Sequence, residues 1–226
     1  MINDFMKSLA QFSDPRFRRV VLIGVGGAIL TILALWGAIG FTLNSVTLFS
    51  DGGWLETVAD WLLGVGLALL VLLLFPAMTV LISSLLLDQI AEAVEDKHYP
   101  HLEQPRHQPF LEALINGLKF SLTALFLNIL ILPLLITGPI YVIAFYAMNG
   151  YLISREYFEL VAARRYDVQT MTAFRKSRQI KLWMAGIALT FLMTVPFVNL
   201  VAPVIATAFM VHYCIRLGAF QPGVAA

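Results

Sequence analysis

Of 226 residues, 59% are hydrophobic and only 13% are charged, about half the roughly 25% typical of a soluble domain. The deficit is gathered into long uncharged runs, which excludes an ordinary soluble globular protein and marks an integral membrane protein. A single cysteine, Cys214, excludes an intrachain disulfide and a Cys-rich metal site, and the net charge of +1 matters less than its distribution.

Residues 1–19 form a predicted interfacial segment. Phe5, Met6, Leu9 and Phe12 share one helical face over 1–13, with Asn3 or Asp4 as N-cap. The stretch is too short to span and predicts a helix lying at the membrane surface, a frayed terminus being the alternative. Asp4 and Asp14 interrupt it, and no small-residue cleavage site follows, so no cleavable signal is expected. Asp14-Pro15 then caps and opens the next helix, after the pattern of proline in a first turn.

Two membrane spans follow. Val20–Leu43 is 24 residues, about 36 Å of helix, enough to cross about 30 Å of hydrocarbon with tilt. Gly24, Gly26, Gly27, Gly37 and Gly40 predict close helix packing there. Asp51-Gly52-Gly53-Trp54 makes a turn, with Trp54 and Trp61 in an aromatic belt. The second span covers 61–87 and kinks near Pro76. Residues 88–119 are polar and acidic: the first part continues as helix to about Asp96, Pro100, Pro105 and Pro109 impose a loop, and Phe110 starts another amphipathic helix that leads into the next apolar run.

From Phe120 to Ser154 no residue is charged, and Pro133, Gly138 and Pro139 break the run. Phe120–Leu132 gives about 20 Å of helix and Pro139–Ser154 about 24 Å, so each piece falls short of the hydrocarbon. A re-entrant, hemi-penetrating hairpin that returns to its starting side is predicted, with its tip shielded by protein or water. A basic segment, 155–181, separates it from a second hairpin at 182–217. That hairpin has its apolar arms in Leu182–Val211 and is broken at Pro196 and Pro203.

Charge checks this topology independently. With two spans and two re-entrant hairpins, all 15 Lys and Arg residues fall on one side. The loop left on the other side holds only Asp51, Glu56 and Asp60. The positive-inside rule therefore puts both termini in the cytoplasm. A spanning third run would carry the basic segment 155–181 outside.

Candidate site residues are few. Arg16, Arg18 and Arg19 stand at the start of the first span, where free N–H groups and guanidinium forks favour an anion; the plainer reading is a lipid-phosphate anchor. Arg155 and Glu159 are spaced to pair on one helix face, and with Glu156 they are candidates to line a polar pathway. Arg164 and Arg165 lie two turns further. An interfacial salt-bridge face is the alternative for this group.

His98, His101, Glu103 and His107 match no metal signature and read as a solvated loop. His212 and Cys214 read as packing. Ser83-Ser84 and Thr207 lack a base, and no phosphate-loop, dinucleotide or zinc-protease motif occurs, so no catalytic residue and no cofactor is expected. Arg175, Lys176, Arg178 and Lys181 lack interleaved stacking aromatics. They suit lipid headgroups better than nucleic acid.

Three blocks carry a resemblance: Asn149-Gly150-Tyr151; Arg155-Glu156-Tyr157-Phe158-Glu159-Leu160-Val161-Ala162; and Pro196-Phe197-Val198-Asn199-Leu200-Val201-Ala202-Pro203. They resemble the bacterial CysZ sulfate-permease family, part of the wider group related to the etoposide-induced protein, over about residues 10 to 217. The resemblance implies an inner-membrane protein with two spanning helices and two pairs of hemi-penetrating helices. It also implies sulfate uptake for cysteine synthesis, no nucleotide-binding domain, and a homo-oligomer in contact with membrane lipids. Arg16-Phe17-Arg18-Arg19 stands at the family's Gly-Leu-Arg-type sulfate motif, which implies sulfate binding at Phe17, Arg18 and Arg19, with Arg16 in place of the Gly. Ala206-Thr207 stands where many members have Gly-Ala-Thr.

Two functions from different classes fit this sequence. One is a sulfate or oxyanion permease or channel. The other is a non-transporting membrane scaffold that acts on lipids or partner proteins. A continuous polar route, or stabilisation of the folded protein by sulfate, separates them.

Overall fold

The computed structural model describes residues 2–10, 15, 18–19, scattered positions between 22 and 66, 86–106, 108–199 and 201–220. Among the described residues every regular element is helical. The chain divides into two compact units, Arg18–Leu86 and Met1–Phe17 with Leu87–Ala226.

The unit Arg18–Leu86 carries the expected spans 20–43 and 61–87. The first span's boundaries, Gly24 and the kink at Pro76 lie outside the described residues, whereas Trp61 and Leu87, which bound the second, are helical. The described positions from Leu22 to Gly40 are helical, and Leu22, Leu30, Leu33 and Trp36 are exposed. Trp54 and Trp61 are exposed as well. A Cβ placed on Gly26, Gly27, Gly37 or Gly40 meets nothing within 4 Å. The expected close packing is therefore not found at these glycines among the described residues.

The other unit begins with α1 (Ile2–Ala10). Among its described side chains Asp4 and Ser8 are buried and Met6 is exposed. The helix packs against the last helix, where Arg216 Nη2 lies 2.9 Å from Asp4 Oδ2. Ser8 Oγ donates to the Asp4 carbonyl at 2.8 Å. Helix α2 runs over residues 87–98 and buries Ile90, Ala91 and Val94.

The first hairpin consists of α3 (Phe110–Ile131), a 3-10 turn at Leu132–Thr137, and α4 (Pro139–Ala162). Pro133 offers no N–H to continue α3. Gly138 takes φ 60° and ψ −98°, a region open to glycine, and Pro139 then starts α4. The arms run antiparallel, since Arg155 near the end of α4 reaches back to Phe120 and Thr123.

The helix expected from Phe110 and the first arm of the hairpin are one continuous helix of 22 residues ending at Ile131, about 33 Å long. Leu111–Thr137 is long and apolar enough to cross a membrane, and it is barely buried. The charges at Glu112 and Lys119 do not stop the helix. Glu112 is instead held by Arg106 from the preceding loop.

The second hairpin consists of α6 (Gln179–Met193), the single turn α7 (Pro196–Asn199), and α8 (Ala202–Arg216). Each long arm has 15 residues, about 22 Å. Tyr213 Oη donates to the Lys181 carbonyl at 3.0 Å and closes the open end. The short helix α5 (Val168–Ser177) joins the hairpins. Asp167 caps it by accepting from the Thr170 N–H at 3.1 Å. Hydrogen bonds from Thr170 hold the Asp167 carboxyl below its ordinary value.

Two contacts lock the hairpins together. Helix α4 packs along α6 with Gly150 against Gly186; a Cβ on Gly150 would lie 2.5 Å from Ile187 Cγ1. Helix α8 forms the core, buried continuously from Val204 to Cys214 under α1 and α4.

Candidate functional site

The last turns of α4, the end of α5 and the first residue of α6 converge on a cavity of about 220 Å³. Tyr151, Ser154, Arg155, Arg175, Lys176, Gln179 and Leu182 line it. Its shape depends on α5. Met171 and Phe174 are buried, and the Phe174 ring stacks on Phe158 of α4 at 5.9 Å. That anchor turns the neighbouring Arg175 and Lys176 toward Arg155.

One carboxylate balances these cations. Arg155 Nε donates to Glu159 Oε1 at 2.7 Å, the expected i, i+4 pair. Arg175 Nε lies 3.9 Å from the same oxygen, is buried, and makes no hydrogen bond. Arg155 also approaches Thr123 Oγ1 at 3.4 Å and lies over the Phe120 ring at 5.5 Å. Arg155, Arg175 and Lys176 against Glu159 leave a surplus of two positive charges. Gln179 opens α6 beside the cavity, and no side chain caps that helix start; free N–H groups there add positive potential. Chemically, such an enclosure suits a small oxyanion. It contains no nucleophile paired with a base.

Of the pathway candidates, Arg155 lines the cavity and Glu159 braces it. Glu156 is exposed on α4 and does not join them. Arg18 and Arg19 are helical and exposed in the unit Arg18–Leu86, while Arg16 and Phe17 lie outside the described residues.

Arg164 and Arg165 serve another purpose. Arg165 Nη1 lies 2.7 Å from Glu95 Oε1, and Arg164 Nη2 lies 3.3 Å from Glu95 Oε2. Glu95 is buried on α2. Arg165 Nε also donates to the Glu103 carbonyl at 3.2 Å, and the Arg106 N–H to the Arg164 carbonyl at 2.8 Å. These bonds tie the loop at 99–109 to the end of α4 as a structural clamp.

Of the described histidines His212 is buried, while His98 and His101 are exposed. Tyr99 Oη and His212 Nδ1 are 2.7 Å apart, and His98 meets the buried His212 edge-on at 5.1 Å. Burial pushes the Tyr99 phenol up, with a smaller contribution from Asp4. Among the described residues no group of three His, Cys, Asp or Glu side chains is arranged to hold a metal. His107 lies outside them.

Arg175 and Lys176 are the cavity-lining residues that the sequence hides. They read there as headgroup contacts, because only the Phe158–Phe174 stack brings them to Arg155. The Asn149-Gly150-Tyr151 block was a signal, since Gly150 sets the α4–α6 contact and Tyr151 lines the cavity.

Comparison with known proteins agrees with this helical, largely apolar build. No curated relative matches the chain closely enough to name. The family described as sulfate transporter CysZ/etoposide-induced protein 2.4, a transporter-type family, matches residues 4–203. The chain belongs to that family.

Proposed function

We propose that the protein is a sulfate or related oxyanion permease of the bacterial inner membrane, supplying sulfate for cysteine synthesis. The observation that carries this reading is the cavity in which Arg155, Arg175 and Lys176 share a single carboxylate. Its surplus of two charges matches a dianion, and several donors offset the cost of taking such an ion from water. Arg155, with Glu159 behind it, is the pathway residue. Glu156, exposed on the same helix, is available to a second copy of the chain. Phe17, Arg18 and Arg19, by the family resemblance, form the capture site at the cytoplasmic mouth.

In this reading 20–43 and 61–87 span, 120–154 and 182–217 are re-entrant, and both termini are cytoplasmic. Arms of about 22 Å in the second hairpin support re-entry, being shorter than about 30 Å of hydrocarbon. A homo-oligomer surrounds the exposed apolar arm α3. The working protein uses sulfate and lipid as its partners and no cofactor.

Sulfate flux into proteoliposomes tests the reading. Each hydrogen bond to a charged group contributes about 1.5–3 kcal/mol, so Arg155→Gln or Arg175→Gln should weaken sulfate binding roughly tenfold to a hundredfold. Sulfate-dependent thermal stabilisation reports the same loss. Wild-type flux in the double variant would remove the cavity from the pathway. Absence of flux in the wild-type protein would favour the scaffold.

A further inference from the structure

A wider recess opens beside the anion cavity, walled by α3, α4 and α6. It measures about 1310 Å³, above the roughly 300–1,000 Å³ of sites for drug-sized ligands. Phe126 and Leu127 of α3, Ala144 and Met148 of α4, and Trp183 of α6 make its apolar wall. Lys176, Arg178 and Lys181 stand at one end.

The polarity is ordered along the recess. The basic end coincides with Tyr151, which with Lys176 also lines the anion cavity. From Tyr151 the α4 wall continues toward the hairpin tip to Ala144, about 10 Å of helix. Trp183 marks the boundary. Its indole Nε1 donates to the Ala147 carbonyl at 2.7 Å, which fixes the ring against the wall. Lys176, Arg178 and Lys181 are exposed, and among the described residues no carboxylate pairs with them.

We propose that this recess holds an anionic phospholipid. Its phosphate sits between Arg178 and Lys181, and an acyl chain lies along the α3–α4 cleft below Trp183. The charge pattern selects this occupant. An apolar helix of a second copy would fill the wall and leave the cations unmatched, and a zwitterionic lipid would bring its own cation to the basic end. The lipid closes the cleft between the arms of the first hairpin. The recess adjoins the anion cavity through Tyr151, Lys176 and Gln179, but the phosphate position is distinct from it, because Arg178 and Lys181 line the recess alone.

Native mass spectrometry of the full chain, titrated with dioleoylphosphatidylglycerol or dioleoylphosphatidylcholine, tests the proposal. The expected result is one phosphatidylglycerol retained per chain, with roughly tenfold preference over phosphatidylcholine. Arg178→Ser with Lys181→Ser should abolish the preference. Ala144→Trp should block retention by filling the wall. Both variants should keep the stabilisation by inorganic sulfate. Lys7→Ser with Lys97→Ser, which removes the same charge elsewhere, should keep the lipid.

Equal retention of the two lipids overturns the proposal, as does equal loss in the charge-matched control or no retained lipid. If Ala144→Trp changes the oligomer mass instead of lipid retention, a second copy is the occupant and the proposal fails. Loss of sulfate stabilisation in the wild-type chain, with lipid retained, counts against the permease reading alone.

Discussion

Substituting one glycine tests how the two hairpins are held. A Cβ on Gly186 would fall inside contact distance of the Gly150 carbonyl oxygen, 2.8 Å from its carbon and 2.7 Å from Ser154 Cβ. The obstacle is backbone, so no rotamer change relieves it, and α4 and α6 must separate. Overpacking of this kind costs about 1–3 kcal/mol, and a rigid obstacle puts Gly186→Ala at the upper end. For a chain of this size each kcal/mol moves Tm by about 2–4 °C, so a fall of roughly 4–12 °C is expected. Gly117→Ala is the matched control. Gly117 lies inside α3 with nothing within 4 Å of its Cβ position. Alanine there should be neutral or stabilising by up to about 1 kcal/mol. Thermal unfolding in one detergent compares the two variants. Because Ser154 and Leu182 line the anion cavity, Gly186→Ala should also reduce sulfate-dependent stabilisation. Equal Tm changes for both variants would refute the close contact of α4 with α6.

The clamp and the topology yield further expectations. Glu95 is buried between Arg164 and Arg165, whereas the Asp88 side chain that also meets Arg164 is 51% exposed. Glu95→Ala should cost about 3–5 kcal/mol by leaving buried charge unpaired, against at most about 1 kcal/mol for Asp88→Ala, both read from thermal unfolding. Asp167 is held ionised below its ordinary range, so its cap is present above the unfolded pKa and is lost as pH falls through the folded one. Asp167→Ala should lower Tm at neutral pH, and the difference should close in acid; a gap independent of pH would show that the cap does not act through its charge. Ile136, at the tip of the first hairpin, is 92% exposed. Ile136→Cys should resist an impermeant maleimide added from the periplasmic side, while Glu56→Cys reacts and the buried Cys214 stays silent; equal labelling of the two variants would make the hairpin fully spanning.

Much of the fold was legible because prolines cannot continue a helix and Gly138 supplies the turn between them. Pro133, Gly138 and Pro139 mark the first tip, and Pro196 and Pro203 flank the second. Helix lengths were less legible. The start of α3 at Phe110, after Pro109, was expected, but its continuity with the uncharged arm through Glu112 and Lys119 was not. Glycine packing was expected in the first run; among the described residues it is seen between Gly150 and Gly186, which lie in separate hairpins. The Glu95 clamp joins residues about 70 positions apart, and no local spacing encodes such a pair. For the site, Arg155 and Glu159 follow from their i, i+4 spacing. Arg175 and Lys176 do not, since their direction is set by an aromatic stack between two helices.

The hairpin geometry and the anion cavity are one problem. Arg155, α5 and the start of α6 follow one another within the single polar segment 155–181, so they share one side of the membrane whichever way the preceding run lies. The Phe158–Phe174 stack then brings residues of both hairpins to one level. Positive-inside anchoring alone asks only that such cations remain near lipid phosphates in water. Arg155 and Arg175 have instead withdrawn from water, with side chains 13% and 20% exposed, and they share one carboxylate. Two desolvated guanidinium groups beside a lysine are costly to hold with a single counter-charge. An oxyanion offers the acceptors that Glu159 cannot supply alone. The imbalance therefore supports capture of an anion at the meeting point of the hairpins over mere attachment to the bilayer surface.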